Sequence, residues 1–225
     1  MRSLAFLPFL LFLLLLALLP FVFGELFSTA LMKLHLDPRA ALLVILGILI
    51  GSAINIPVRR IARTEEVLEE PFTLFGFSGW WPRLQRAPQE IVIAVNVGGC
   101  LIPLGLALYE SAFLLIESPE SLSGLLLSAM VNTAVCYWMA KPIPRIGIAM
   151  PGLMPALVAA LCAVTLAPEH AAPVAFIAGV LGPLIGADLL HLRDLEKITT
   201  GVTSIGGAGT FDGIVLSGIV AAYLA

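Results

Sequence analysis

The chain has 225 residues, of which 60% are hydrophobic and 12% are charged, and its mean hydropathy is +1.04. A soluble domain has about half apolar and about a quarter charged residues, so this composition excludes an ordinary water-soluble domain. The net charge is only −3, and no basic patch rich in aromatic residues predicts a nucleic-acid partner. We therefore expect a membrane protein whose main partner is lipid.

Seven apolar stretches are long enough, or nearly long enough, to cross a bilayer, which takes about 20 residues. They cover residues 4–23, 40–56, 91–116, 122–140, 146–167, 171–190 and 204–225. The first segment, residues 1–25, resembles a signal anchor, and its long apolar run predicts a retained span rather than a cleaved signal peptide. The sequence predicts one all-α polytopic membrane domain, residues 1–225, with about seven spans.

The distribution of basic residues predicts the orientation of these spans. With the N-terminus in the cytoplasm, only Lys33 and Arg39 lie outside, and ten basic residues lie inside. The inside set is Arg2, Arg59, Arg60, Arg63, Arg83, Arg86, Lys141, Arg145, Arg193 and Lys197. Because cytoplasmic loops carry an excess of Lys and Arg, we predict a protein of the inner (cytoplasmic) membrane with its N-terminus inside and its C-terminus outside.

The longest segment between spans, residues 58–90, is predicted to be a cytoplasmic loop. It ends in an aromatic stretch that contains Trp80 and Trp81, followed by Arg83. Paired tryptophans suit the lipid headgroup zone, so a membrane-surface loop is expected. A docking surface for a partner protein is the alternative.

Three segments that enter from the cytoplasmic side resemble one another: residues 91–108, 144–161 and 201–219. Each begins with an extended pattern, passes through a Gly-rich or Pro-Gly stretch, and continues as an apolar helix too short to span the bilayer alone. We expect extended, Gly/Pro-rich breaks here, with residues 55–58 and 91–97 forming a small hairpin on the cytoplasmic side. Helix ends of this kind recur at transporter sites. The alternative is that small residues only allow close helix packing.

Three acidic residues lie within the predicted spans, and each is a functional candidate because a charge at that depth is costly. Glu110 lies near the outer end of its span, where it is expected to reach water and to have a structural role. Asp188 and Asp212 flank the same short cytoplasmic loop on antiparallel spans, so similar depths are predicted. Asp212 should also lie in the first turn of the last helix, where it could cap free N–H groups.

The candidate ligand- or ion-binding residues are the two aspartates and polar or glycine residues at the breaks. The latter are Asn96, Gly98, Gly99, Gly206, Gly207, Gly209 and Thr210. The three cysteines lack CxxC spacing and the three histidines lack an HExxH motif, so neither a metal nor another cofactor is expected.

Four motifs carry a family resemblance: INIP at residues 54–57, AVNVGG at 94–99, GADLL at 186–190 and SIGGAGTFDGI at 204–214. On these residues the chain resembles a prokaryotic family of polytopic membrane proteins known only as a domain of unknown function. The resemblance implies a membrane location and no assigned activity.

The chain also resembles presenilin-type intramembrane aspartyl proteases. One aspartate, Asp188, lies on an outward-to-inward span and Asp212 lies on the next, and the tripeptide at residues 155–157 is similar to their Pro-Ala-Leu motif. The chain departs from that pattern where Ala187 replaces a tyrosine, where GAGTFD replaces GxGD, and in placing the tripeptide before both aspartates.

Three functions follow as hypotheses. The first, which we favour at this stage, is a small secondary transporter or ion-conducting protein. In it, Asp212, with or without Asp188, binds a proton or cation while helix N-termini receive an anionic solute. The second is an intramembrane aspartyl protease in which Asp188 and Asp212 are catalytic. The third is a non-catalytic accessory subunit of a membrane complex. A homo-oligomer or a larger complex is expected for a chain of this size.

Overall fold

The computed structural model describes residues 6–69, 83–143, 147–194 and 201–225. Within these ranges the chain is mostly helical. The α-helices are α1 (Phe6–Met32), α2 (Pro38–Gly51), α3 (Ile102–Glu117), α4 (Leu122–Met139), α5 (Met154–Leu166), α6 (Ala171–Leu181) and α7 (Gly213–Leu224). The described residues also form two π-helical segments, Val97–Leu101 and Gly182–Leu189, and three short 3-10 turns.

Three helical stretches of the described chain are long and apolar enough to cross a membrane: Val97–Glu117, Pro119–Met139 and Pro168–Asp194. They correspond to the third, fourth and sixth predicted spans, and they are consistent with a membrane protein. The other four predicted spans contain shorter apolar helices, Ala17–Met32, Pro38–Gly51, Met154–Leu166 and Gly213–Leu224. The count of seven spans and the orientation therefore stay predictions.

Helix α6 forms the centre of the bundle. Every residue from Pro173 to Val180 is buried, and the helix packs against α3, α4, α5 and α7. A helix that is apolar on all sides is stable only when other helices or lipid surround it. Around it, small alanines of α5 and α7 fill much of the core, which allows the helices to approach closely.

The described strands form two sheets. In the larger, β1 (Asn55–Glu69) pairs antiparallel with β2 (Arg83–Asn96), and β2 pairs in parallel with β5 (Gly201–Ile205). In the smaller, β3 (Lys141–Ile143) pairs antiparallel with β4 (Gly147–Ala149). The parallel pairing brings the segment before α7 next to the segment before α3.

The predicted pairing of residues 55–58 with 91–97 is present, with Asn55 opposite Asn96 and Ile56 opposite Val95. However, the ladder continues to Glu69 opposite Arg83, so the hairpin is far longer than expected. Much of the predicted loop 58–90 is therefore strand, because alternating charged and β-branched residues extend the ladder. Its cytoplasmic location stays a prediction, and Trp80 and Trp81 lie outside the described residues.

In each of the three similar segments a strand gives way to an apolar helix. Strand β2 ends at Asn96 and the π-helical segment begins at Val97; β4 ends at Ala149 before α5; β5 ends at Ile205 before α7. The Gly and Pro residues identified in the sequence lie at these three transitions.

Candidate functional site

A cavity of about 420 Å³ lies where three of these elements meet. Residues around β4 (Gly147, Ile148 and Met150) form one wall, and the π-helical segment contributes Pro183, Ala187 and Asp188. The opposite wall runs from β5 to the start of α7, through residues 203–208 and 211–214. A volume of this size is typical of ligand-binding pockets. Both aspartates predicted from the sequence line this one cavity.

Asp212 is held at the N-terminus of α7 by two backbone N–H groups. Its Oδ1 atom accepts a hydrogen bond from the N–H of Ile214 at 3.0 Å, and Oδ2 accepts one from the N–H of Ala208 at 3.3 Å. The residue has extended backbone (φ −69°, ψ 150°), as an N-cap requires. The predicted capping role is therefore present, and it fixes the carboxylate at the cavity wall.

Asp188 reaches the cavity from the π-helical segment Gly182–Leu189, which continues α6. A π-helical turn adds a residue to the helical repeat and so redirects the side chains that follow it, and such turns occur often at functional sites. No hydrogen-bond partner of its carboxylate lies among the residues that the structure describes. Asp188 thus faces the cavity with its oxygen atoms available to a ligand.

Asp188 and Asp212 line the same cavity, so their carboxylates repel each other when both are ionised. The buried residue Cys100 packs against the turn at Gly206, where an added Cβ would lie 2.8 Å from its Cβ. In the described part of the chain, the two aspartates are the only ionisable side chains that line the cavity. The site is therefore acidic, with hydroxyl groups of Thr203 and Ser204 beside it.

The turn that carries Asp212 rests on the π-helical segment before α3. An added Cβ at Gly99 would collide with the carbonyl group of Gly206, and an added Cβ at Gly206 would lie 2.8 Å from the backbone N of Cys100. Gly206 also has φ of +71°, a conformation that side chains other than glycine rarely adopt. Glycine at both positions allows the two backbones to touch, and this contact fixes the position of the turn that carries Asp212.

A buried amide network ties the same turn to the sheet. The side chain of Asn96, fully buried, donates to the carbonyl of Ser52 (2.8 Å) and to Oδ1 of Asn55 (3.0 Å), and it accepts from the N–H of Gly99 (2.7 Å). Oδ1 of Asn55 also accepts from the hydroxyl of Ser204 at 2.7 Å, and Ser204 lines the cavity. Asn96 therefore positions the site without lining it.

Two strands with a free edge contribute residues to the cavity lining. Of the described strands, β5 lies at the edge of its sheet, in the order β1-β2-β5, and β4 pairs only with β3. Free edges present unpaired N–H and C=O groups to which an extended chain can bind. The cavity thus combines an acidic pair with backbone groups suited to a peptide.

The structure separates the predicted ligand residues into three groups. Asp188, Asp212, Gly206 and Gly207 line the cavity. Gly98, Gly99 and Asn96 lie beneath it as packing and hydrogen-bonding residues. Gly209, with φ of +61°, packs on Ser52, and Thr210 lines a neighbouring apolar cavity instead.

The expectation that Glu110 reaches water is wrong. Its side chain is fully buried, because the loop before α2 covers it: the N–H of His35 donates to Oε1 (3.1 Å) and Nδ1 of His35 lies 2.8 Å from Oε2. The ring of His35 in turn stacks on Phe113 at 3.6 Å between centroids. The expected structural role fits this pairing.

Sequence reasoning missed the cavity residues around β4 and the aromatic residue Phe211. The former lie within the break predicted at residues 144–161, but the three residues of β4 are too few for a periodic pattern that would have identified them as cavity residues. Phe211 could have been found, since it directly precedes Asp212 in the GAGTFDG motif. Among the described residues, no group of three His, Cys, Asp or Glu side chains is arranged to hold a metal ion.

The fold and the cavity together define a mostly helical protein, with apolar helices long enough to cross a membrane and a pair of aspartates in a shared cavity. The family described as "Protein of unknown function (DUF1614)" matches residues 49–224. The chain therefore belongs to this family, and the match includes the whole cavity. No curated protein and no solved structure matches the chain.

Proposed function

We propose that the chain is an integral protein of the cytoplasmic membrane that hydrolyses peptide bonds with Asp188 and Asp212, as an intramembrane aspartyl protease. The observation that carries the proposal is the shared cavity: two aspartates from neighbouring elements line one pocket, to which two edge strands also contribute. Transport was the first expectation from the sequence, but it requires neither the pairing of the acids nor the strand edges.

The acidic character of the cavity also favours a peptide over an anionic solute. Asp188 and Asp212 are its only ionisable side chains within the described chain. An anion would face two carboxyl groups without a compensating cation, whereas a peptide brings a neutral backbone. The free edges of β4 and β5 supply partners for that backbone, so an extended substrate strand fits between them.

The proposed roles follow from the hydrogen bonds. Asp212 accepts two backbone N–H hydrogen bonds, and such bonds stabilise the ionised form of a carboxyl group. Asp188 accepts none from the described residues, so Asp212 is the aspartate assigned the ionised state. Ionised Asp212 takes a proton from a water molecule as the water oxygen attacks the carbonyl carbon. Protonated Asp188 donates its proton to the carbonyl oxygen, giving a neutral gem-diol intermediate. Two carboxylates that line one cavity repel each other when both are ionised, which favours the singly protonated pair that this step requires.

Collapse of the intermediate completes the reaction. Asp212 returns its proton to the amide nitrogen, Asp188 recovers one from a hydroxyl of the gem-diol, and the C–N bond breaks. The products are one carboxylic acid and one amine, and one water molecule is consumed. No other reactant is needed.

The test is cleavage of a complex peptide mixture by purified protein in lipid nanodiscs, in water enriched in ¹⁸O. Hydrolysis by the proposed route places one ¹⁸O atom in each new C-terminal carboxyl group, which mass spectrometry detects. We expect new labelled termini with wild-type protein and with the exposed-acid control Glu169→Gln, and none with Asp188→Asn or Asp212→Asn. Cleavage that persists in both Asn variants, or its absence in wild type, would contradict the proposal.

A second function has its own supporting observation, which is a further set of protonatable groups at the other end of α7. Asp212 caps the first turn of this helix, and Nζ of Lys33 donates to the carbonyl of Tyr223 in its last turn at 2.7 Å. His35 follows Lys33 by two positions in the chain, and its Nδ1 atom lies 2.8 Å from Oε2 of Glu110. Acids at both ends suit a proton- or cation-coupled transporter.

A flux assay separates this candidate from proteolysis. Proteoliposomes with an imposed pH gradient should show proton leak or cation exchange that depends on Asp212 and on Glu110. A protease needs Asp212 and not Glu110, so Glu110→Gln distinguishes the two functions.

A further inference from the structure

A second cavity, of about 450 Å³, lies directly beside the acidic one, between α1 and α2. Leu19, Phe23 and Phe27 of α1 form one side, and Ile45 and Leu49 of α2 form the other. Thr210 is its one polar lining residue in the described chain. The cavity is thus suited to hydrocarbon and not to charged or strongly polar groups.

Phe211 is the wall between the two cavities and lines both. Its ring contacts Phe23 edge-on, with 5.3 Å between centroids, and 62% of the residue is exposed. Asp212 follows it directly, so the apolar cavity opens one residue away from the proposed catalytic carboxylate. A ligand held at Asp212 can reach across the ring into the apolar space.

We propose that this apolar cavity is the specificity subsite of the protease, and that it receives a large apolar side chain of the substrate next to the scissile bond. The inference rests on the proposed function, since it assigns a substrate class to the same site. Successive side chains of an extended strand point to opposite sides. In a strand bound along β5, alternate side chains therefore share one side, and the proposal places one of them in the apolar cavity while the backbone stays at the aspartates.

The preferred occupant is Phe, Leu, Met or Trp rather than a small residue. Burial of a large apolar side chain in such a lining releases it from water, whereas Ala would leave most of the volume unfilled. Hydrophobic pockets discriminate in this way by about 10-fold to 200-fold. Substrates should therefore differ in rate by at least about tenfold between Phe and Ala at one position and much less at the others.

The chain offers a matched pair of variants for the test. A Cβ added at Gly24 or at Gly105 meets no atom within 4 Å. Gly24 lines the apolar cavity and Gly105 does not, yet both lie in helices. Gly24→Leu therefore fills the cavity and Gly105→Leu is its control. Leu49→Ala enlarges the cavity and gives an independent variant should Gly24→Leu fold poorly.

The first experiment compares cleavage-site profiles of these variants on the peptide mixture. We expect Gly24→Leu to lose at least about tenfold in cleavage beside Phe or Trp, while cleavage beside Ala stays within about twofold of wild type. Leu49→Ala should shift the preference towards Trp, and Gly105→Leu should match wild type. An unchanged profile, or a uniform loss at all sites, would overturn the subsite.

The second experiment needs no catalysis. A short apolar peptide that carries benzoylphenylalanine is photo-crosslinked to full-length Asp212→Asn protein in nanodiscs, and the attachment sites are mapped by mass spectrometry. We expect attachment to α1 or α2 around the cavity, and loss of this attachment in the double variant Asp212→Asn with Gly24→Leu. This result supports the subsite even if no peptide is cleaved, in which case only the proposed activity fails. Attachment only elsewhere, or none, overturns the subsite even if cleavage is observed.

Discussion

Replacement of Gly99 by alanine should destabilise the protein and displace the turn that carries Asp212. The added Cβ atom would overlap the carbonyl oxygen of Gly206, and it would lie 2.9 Å from the carbonyl carbon and 3.1 Å from Cα of Gly209. Because all three neighbours are backbone atoms, no side-chain rotation relieves the contact. The two segments must move apart, and the buried hydrogen bond from Gly99 to Asn96 is strained with them.

The expected magnitude follows from two opposing effects. Overpacking costs about 1–3 kcal/mol, and Gly→Ala in a helix interior gains about 1 kcal/mol. A second glycine, Gly105, serves as the control, because it is exposed and a Cβ there meets nothing. Gly105→Ala has the same gain in helix propensity without the overpacking. The two variants should therefore differ by about 1–3 kcal/mol in the free energy of unfolding.

The assay is unfolding in mixed micelles with an increasing fraction of sodium dodecyl sulfate, followed by circular dichroism. The lower midpoint should belong to Gly99→Ala, and Gly105→Ala should equal or exceed wild type. Peptide crosslinking to the apolar cavity should fall in the same variant, since the turn forms one of its walls. Equal midpoints for Gly99→Ala and Gly105→Ala would refute the close packing of the two segments.

Three further outcomes are expected. Glu110→Gln should lower the free energy of unfolding by about 1–3 kcal/mol, because a buried carboxylate loses its charge-assisted bonds to His35; exposed Glu169→Gln should change it by less than about 0.5 kcal/mol in the same micelle assay. Asn96→Leu should lower the free energy of unfolding by at least as much as Glu110→Gln, since it leaves the buried N–H of Gly99 without a partner. An unfolding midpoint equal to that of wild type would contradict the hydrogen-bond network of Asn96. The rate of peptide cleavage should pass through a maximum with pH, because one aspartate must be ionised and the other protonated; a rate that rises steadily across the acidic range would argue against the pair.

Local chemistry made part of the site predictable from the sequence. Asp212 before an apolar helix is an N-cap pattern, and the structure confirms the cap through Ile214. The extended patterns at residues 55–58 and 91–97 likewise predicted that these two segments pair, as β1 and β2 do there. In both cases a local pattern of a few residues identified the element.

The rest depends on contacts between distant segments, which no local pattern records. The cavity exists because β5 pairs in parallel with β2 and brings Ser204 opposite Ala94. That pairing joins residues more than 100 positions apart, so the shared position of Asp188 and Asp212 could be stated only as similar depth. The burial of Glu110 was missed for the same reason, because its partner His35 lies 75 positions away.

Asp212 carries two roles that its substitutions can separate. As a cap it accepts the N–H of Ile214 at 3.0 Å, and as a proposed catalytic base it must accept a proton. Asparagine caps about as well as aspartate, so Asp212→Asn retains the shorter hydrogen bond while it removes the acid. Alanine removes both and should cost a further 0.5–2 kcal/mol or so. If Asn preserved cleavage and only Ala abolished it, the carboxylate would be structural, and the chemistry would have to reside elsewhere in the cavity.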